Sequence, residues 1–153
     1  MTDAPAASKA RTVAGLSVCA RELSVREALK DITLRLRREQ VDPDDIGVAE
    51  ILIAEVLNNI VEHAYAGTQD GMITVELGIE RERILIETRD CGVAMPGLNL
   101  PDAKEHDLDV EMDALPEGGF GWFLIHSLAE NLTYTRSKTE NLLHFTVSRR
   151  SLS

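Results

Sequence analysis

Cysteine is nearly absent from this 153-residue chain, which holds only Cys19 and Cys91, 72 positions apart. Neither CxxC spacing nor a neighbouring Cys/His set accompanies them, so no zinc or dithiol redox motif is present. They read as reduced thiols in a cytoplasmic protein, although sequence alone leaves a long-range disulfide open. Long apolar runs are missing too. None approaches the roughly 20 residues that a membrane span requires, and residues 1–10 (MTDAPAASKA) lack the apolar stretch of a secretory leader. Basic charge is scarce: 16 Lys and Arg stand against 26 Asp and Glu, a net charge of −10. Such a field repels a phosphate backbone. The nearest basic cluster, Arg35, Arg37 and Arg38, is interrupted by apolar residues and followed by Glu39. Neither nucleic acid nor a membrane is an expected partner.

The chain does have the composition of a globule, with 44% hydrophobic and 27% charged residues. Its length suits one domain whose core needs no disulfide or structural metal. Residues 1–11 read as a flexible tail ahead of a single domain over 12–153. A weakly alternating segment, 12–20, predicts a first strand. From Ser24 the period changes: Val25, Ala28, Leu29, Ile32 and Leu36 recur at steps of three and four, predicting a helix to about Gln40. Ser24 and Glu27 form its expected capping box. Asp42-Pro43 then reads as a cap with proline at the first helical position, opening a second helix that ends near Tyr65, before Ala66-Gly67. Residues 72–79 and 83–88 alternate as a hairpin, 122–132 read as a short helix, and 132–136 and 142–149 as two last strands. The segment at about 91–119 has no sustained period and reads as a lid; within it, residues 102–117 carry seven acids and one lysine, Lys104. Strands grouped apart from helices predict an α+β, two-layer α/β sandwich with a mostly antiparallel sheet and helices on one face.

Three constellations could carry chemistry. Glu55, Asn59 and His63 are spaced four apart on the second helix and so share one stripe. An Asn amide oxygen suits Mg²⁺, which takes few protein ligands and completes its shell from phosphates and water, and a carboxylate one turn away can accept a proton. On spacing alone the stripe reads more readily as a solvated polar face with ordinary helix pairs. Asp90-Cys91-Gly92, leaving a strand, could accept a hydrogen bond from an exocyclic amine while the glycine admits a flat ring; Asp-x-Gly is also ordinary turn chemistry. The cluster Gly118, Gly119, Gly121 opens an apolar helix, where free backbone N–H groups favour an anion, or where a hinge sits. No Lys-Ser or Lys-Thr pair follows, which excludes a P-loop.

All three in one order, with the block EVLNNIVEHAY as the most specific part, resemble the GHKL superfamily of gyrase, chaperone, histidine kinase and MutL ATPases. Within it the chain looks most like the bacterial anti-sigma factor serine/threonine kinases of the RsbW and SpoIIAB type, over about residues 12–150. The resemblance implies the Bergerat ATP-binding fold, with ATP and Mg²⁺ as cofactors. It implies Glu55 as general base, Asn59 as Mg²⁺ ligand, Asp90 as acceptor for the adenine amine and Gly92 against the base. Gly119 and Gly121 would shape the phosphate contacts, and His63 would support the site. A STAS-type anti-sigma factor antagonist as phosphorylated substrate, a sigma factor as partner and a homodimer are implied in the same way. The sequence departs from the pattern at Ala94, where many relatives carry a second glycine, and in an acidic lid, where relatives often place a basic residue. Like charge beside a triphosphate weakens binding. A nucleotide-gated partner switch with little or no kinase activity is therefore the alternative.

Overall fold

The computed structural model describes residues 11–66, 70–101 and 119–149, with the backbone alone at 119–120. Five strands form one fully antiparallel sheet: β1 (Arg11–Cys19), β2 (Met72–Ile79), β3 (Arg83–Asp90), β4 (Glu130–Arg136) and β5 (Asn141–Ser148), in the order β1-β2-β3-β5-β4. Three helices pack on one face: α1 (Glu22–Arg38), α2 (Pro43–Asn59) and α3 (Gly119–Leu128). The expected α+β sandwich is the observed one.

Alternation explains the layering. Ile73, Val75, Leu77 and Ile79 of β2 face the helices, while Thr74 and Glu76 between them face water. On the helix side α1 contributes Val25, Ile32 and Leu36, and α2, between its two neighbours, is buried along Ile46, Ala49, Leu52, Ile53, Val56 and Leu57. Each valine, leucine or isoleucine among them contributes about 1.5–3 kcal/mol when fully buried.

The apolar series breaks at one end of the sheet. On β3 the core-facing positions run Ile84, Ile86, Thr88, Asp90, and on β5 they run Asn141, Leu143, Phe145, Val147. The register sets Asp90 directly opposite Asn141. Three buried polar residues, Thr88, Asp90 and Asn141, thus stand where the core would otherwise continue, and this end of the sandwich holds the cavity.

Several boundaries differ from the sequence reading. The capping box at Ser24 does not form, because the chain turns into α1 sooner: the Arg21 N–H donates to the Cys19 carbonyl and Arg21 stands at the N-cap position, its side chain making no capping bond, which leaves Ser24 inside the first turn. Asp42 does cap α2, accepting the Asp44 N–H at 2.9 Å, with Pro43 behind it. Beyond Asn59 the second helix widens into one π turn, Ile60–Ala64, closed by Tyr65 N–H to the Ile60 carbonyl at 3.0 Å. The third helix starts at Gly119 rather than Trp122 and stops at Leu128, so Leu132 belongs to β4. Trp122 and Ile125 enter the core as expected of that apolar run, while Phe123 and Leu124 are half-buried. The N-terminal residues 1–10 and the acidic stretch of the expected lid, with Lys104, lie outside the described residues. Among the described residues both cysteines are free thiols, and no helix is long and apolar enough to cross a membrane.

Candidate functional site

A cavity of about 510 Å³ opens between α2 with its π turn, the loop after β3, the start of α3, and the β4–β5 end of the sheet. Its volume falls in the range of small-ligand and cofactor pockets. The walls are mostly apolar, including Val56, Ile60, Met95, Trp122 and Leu143. Among the described residues no lysine or arginine lines it, and its ionisable side chains besides Tyr134 are Asp90 and His63.

Asp90 stands at the end of β3, 5% exposed. Its Oδ1 accepts from the Gly92 N–H at 2.9 Å and from Asn141 Nδ2 at 2.8 Å. Its Oδ2 has no hydrogen bond among the described residues. Burial raises the carboxyl above its ordinary pKa, and the bonds from Asn141 and Gly92 and the charge of Arg136 pull the other way.

Asn59 ends α2 and is 8% exposed on the cavity wall. Its Nδ2 is buried without a hydrogen-bond partner among the described residues. An amide left in that condition costs about 1–3 kcal/mol, so the position favours something that the fold does not itself supply. His63 also lines the cavity, but from the π turn rather than from the α-helical stripe, and its side chain is 65% exposed at the mouth, 3.9 Å from the Glu62 carboxylate. Glu55 does not line the cavity; its carboxylate lies against Gly121, with Cδ 3.3 Å from where a Cβ at 121 would stand. Gly121 is thus the seat of the Glu55 side chain, inside the first turn of α3, where the sequence reading expected a loop. Gly119 opens that same turn.

Gly92 serves packing as well as position. A Cβ there would stand 2.6 Å from the Ala64 carbonyl carbon and 2.7 Å from its Cβ, and Val93 N–H donates to the Ala64 carbonyl at 2.7 Å. The missing side chain therefore faces the π turn, and the cavity is lined by Val93 and Ala94 rather than by Gly92. Gly92→Ala is expected to cost about 1–3 kcal/mol of stability by overpacking and to weaken ligand binding by displacing this loop; urea unfolding together with nucleotide titration checks both.

Sequence reasoning missed the residues that hold the loop. Asn141 Nδ2 also reaches the carbonyls of Val93 at 3.0 Å and Gly92 at 3.4 Å. Its Oδ1 accepts from Tyr134 Oη at 2.5 Å, and that hydroxyl accepts the Met95 N–H at 3.0 Å. Arg136 donates to the Gly92 carbonyl at 2.7 Å. On the other side Tyr65 Oη donates to the Met72 carbonyl at 2.6 Å and accepts the Cys91 N–H at 2.8 Å, and burial raises this phenol's pKa. A signal for Asn141 was present: it occupies a core-face position in the alternation of β5.

The arrangement can take a flat, largely apolar group carrying a hydrogen-bond donor for Asp90, with a polar extension toward Asn59 and the mouth. No group of three or more metal-ligand side chains occurs among the described residues. The donor set fits a hard cation held through a single amide, with its remaining ligands coming from phosphates and water.

The chain is similar to known proteins in sequence and in fold. The serine-protein kinase RsbW of Bacillus cereus is 36% identical over 90 residues, which is 58% of this chain and 56% of that protein. RsbW of Bacillus thuringiensis is 34% identical with the same coverage, so the chain spans little more than half the length of these relatives. The crystal structure of the RsbU and RsbW domains of a Mycobacterium tuberculosis protein shares the fold, with a TM-score of 0.60 at 18% identity over 89% of this chain and 33% of that one. A model of the histidine kinase-like ATPase domain matches residues 18–147. On the strength of that match, which takes in every residue named on the cavity wall, the chain belongs to the histidine kinase-like ATPase domain family.

Proposed function

We propose that this chain is an ATP- and Mg²⁺-dependent serine/threonine protein kinase of the anti-sigma type, phosphorylating a STAS-type anti-sigma factor antagonist and binding a sigma factor in the cytoplasm. One observation carries the reading: Asn59, whose buried Nδ2 donor has no partner among the described residues and so suits a phosphate oxygen, lines the same cavity as a buried Asp90 with one uncommitted oxygen. The RsbW kinases to which the chain is similar support the choice of reaction.

In this reading Asp90 accepts the exocyclic amine of adenine, and the apolar wall takes the ring. Asn59 holds Mg²⁺, which when bound neutralises charge on the triphosphate. Gly119 and Gly121 leave the first backbone N–H groups of α3 open to phosphate oxygens, and His63 offers a donor at the mouth. Glu55 takes the proton of the attacking seryl hydroxyl.

Calorimetry with ATP, with and without Mg²⁺, tests the site. Binding is expected to tighten with the metal in the wild type, and to lose that dependence in Asn59→Leu. The same variant is expected to be about 1 kcal/mol more stable, because the orphaned amide is gone. Absence of ATP binding in every condition overturns the proposal.

The second reading, a nucleotide-gated partner switch, is favoured by the position of Glu55, which lies outside the cavity wall against Gly121. Labelled ATP with a cognate antagonist separates the two: nucleotide binding without label transfer selects the switch.

A further inference from the structure

The clamp formed by Asn141 and Tyr134 has no part in the assignments above. Its chemistry is nonetheless directional. Three acceptors surround Asn141 Nδ2, namely Asp90 Oδ1 at 2.8 Å, the Val93 carbonyl at 3.0 Å and the Gly92 carbonyl at 3.4 Å. A hydroxyl donor faces its Oδ1 at 2.5 Å. Rotating the amide by half a turn would set an oxygen against three oxygens, so the observed orientation is the one the surroundings permit. Tyr134 is fixed in turn. Its hydroxyl accepts the Met95 N–H, so its proton goes to Asn141.

Directionality passes on to Asp90. With Asn141 and the Gly92 N–H both donating to Oδ1, that oxygen is committed, and Oδ2 is left for the cavity. An ionised carboxylate can then only accept at Oδ2; a protonated one would donate there. The two states recognise different bases. An acceptor suits the 6-amino group of adenine, whereas a donor suits the 6-oxo group of hypoxanthine or guanine.

We infer that Asn141, oriented by Tyr134, is a positioning residue that commits one oxygen of Asp90 and thereby sets the preference of the site for 6-aminopurine over 6-oxopurine nucleotides. The inference rests on the reading of Asp90 as the base acceptor and adds the residue that fixes its sense. Among the described residues the charged and titratable groups around Asp90 are Arg136 and Tyr134 on β4, Cys91 next in the chain, Tyr65 after the π turn and His63 on the cavity wall. Donation from Asn141 works with Arg136 to favour the carboxylate against the effect of burial.

The test is calorimetry of the full chain with ATP and with inosine triphosphate, from about pH 5 to about pH 8. The wild type is expected to prefer ATP. In Asn141→Leu the ATP-to-ITP affinity ratio is expected to fall about tenfold, the worth of one charge-assisted hydrogen bond, and the acid limb of ATP binding to move to higher pH. Tyr134→Phe, which keeps Asn141 but removes the donor to its Oδ1, is expected to shift both readouts in the same direction by less, and carries the test should Asn141→Leu not fold. Equal loss of both nucleotides with an unmoved acid limb would make Asn141 merely structural and overturn the inference, as would an unchanged ratio in both variants. Those results leave the kinase reading standing, because wild-type ATP binding persists in them; a wild type that binds neither nucleotide removes both.

Discussion

Asp90→Asn is expected to weaken ATP binding by at least about 100-fold while making the folded protein more stable at neutral pH. The binding loss follows from the bonds already at Oδ1. Both the Gly92 N–H and Asn141 Nδ2 donate there, so an asparagine at 90 must keep its oxygen in that place. Its NH₂ then points at the cavity, a donor against the donor of the base. The stability gain follows from burial, which raises the pKa of Asp90 in the folded protein above its unfolded value of about 4. The stability linked to a raised carboxyl is fully present below the unfolded pKa and is lost as pH rises through the folded one. At pH 7 the wild type therefore carries the cost of a buried negative charge that the variant lacks. Thermal unfolding at pH 7 is expected to place the variant above the wild type, with the gap closing toward about pH 4. A variant that binds ATP normally would remove Asp90 from the base site, and one that is less stable at pH 7 would mean that the Asn141 and Gly92 bonds outweigh burial.

The same contest between burial and function explains how far the sequence could be read. Alternating segments such as residues 72–79 predicted their strand to the residue, because one face is packed and a slip would invert every side chain. Asp42-Pro43 located the start of α2 for an equally local reason. Where geometry depends on distant partners, local pattern misled. The π turn cannot be seen in EVLNNIVEHAY, since its exposed Ala64 carbonyl is used by Val93, 29 residues on. The first turn of α3 includes two glycines that read as loop by propensity, yet Gly121 is required there by the Glu55 carboxylate against it. Asn141 fell just outside the expected strand 142–149 because its justification is Asp90, a cross-strand neighbour 51 positions away.

The largest effect on catalysis is expected at Glu55. Glu55→Ala should leave ATP affinity within a few-fold of the wild type and reduce phosphoryl transfer to a cognate antagonist by about 10²–10⁴, the usual worth of a positioned general base. Affinity survives because Glu55 lies outside the cavity wall, whereas transfer needs a group to receive the hydroxyl proton. Gly121 provides an independent route to the same residue. Any Cβ at 121 meets the Glu55 carboxylate, so Gly121→Ala must displace it, lowering transfer while every charged group remains in the chain. The two substitutions are therefore coupled. With alanine at 55 the obstruction at 121 is gone, and the double variant should transfer no more slowly than Glu55→Ala alone and be at least as stable, since alanine favours the helix over glycine. Single-turnover assays with labelled ATP and thermal unfolding of all four proteins measure both. Wild-type transfer in Glu55→Ala would take the base role from Glu55. Additive losses in the double variant would show instead that Gly121 acts through its own backbone, as part of the phosphate seat at the start of α3.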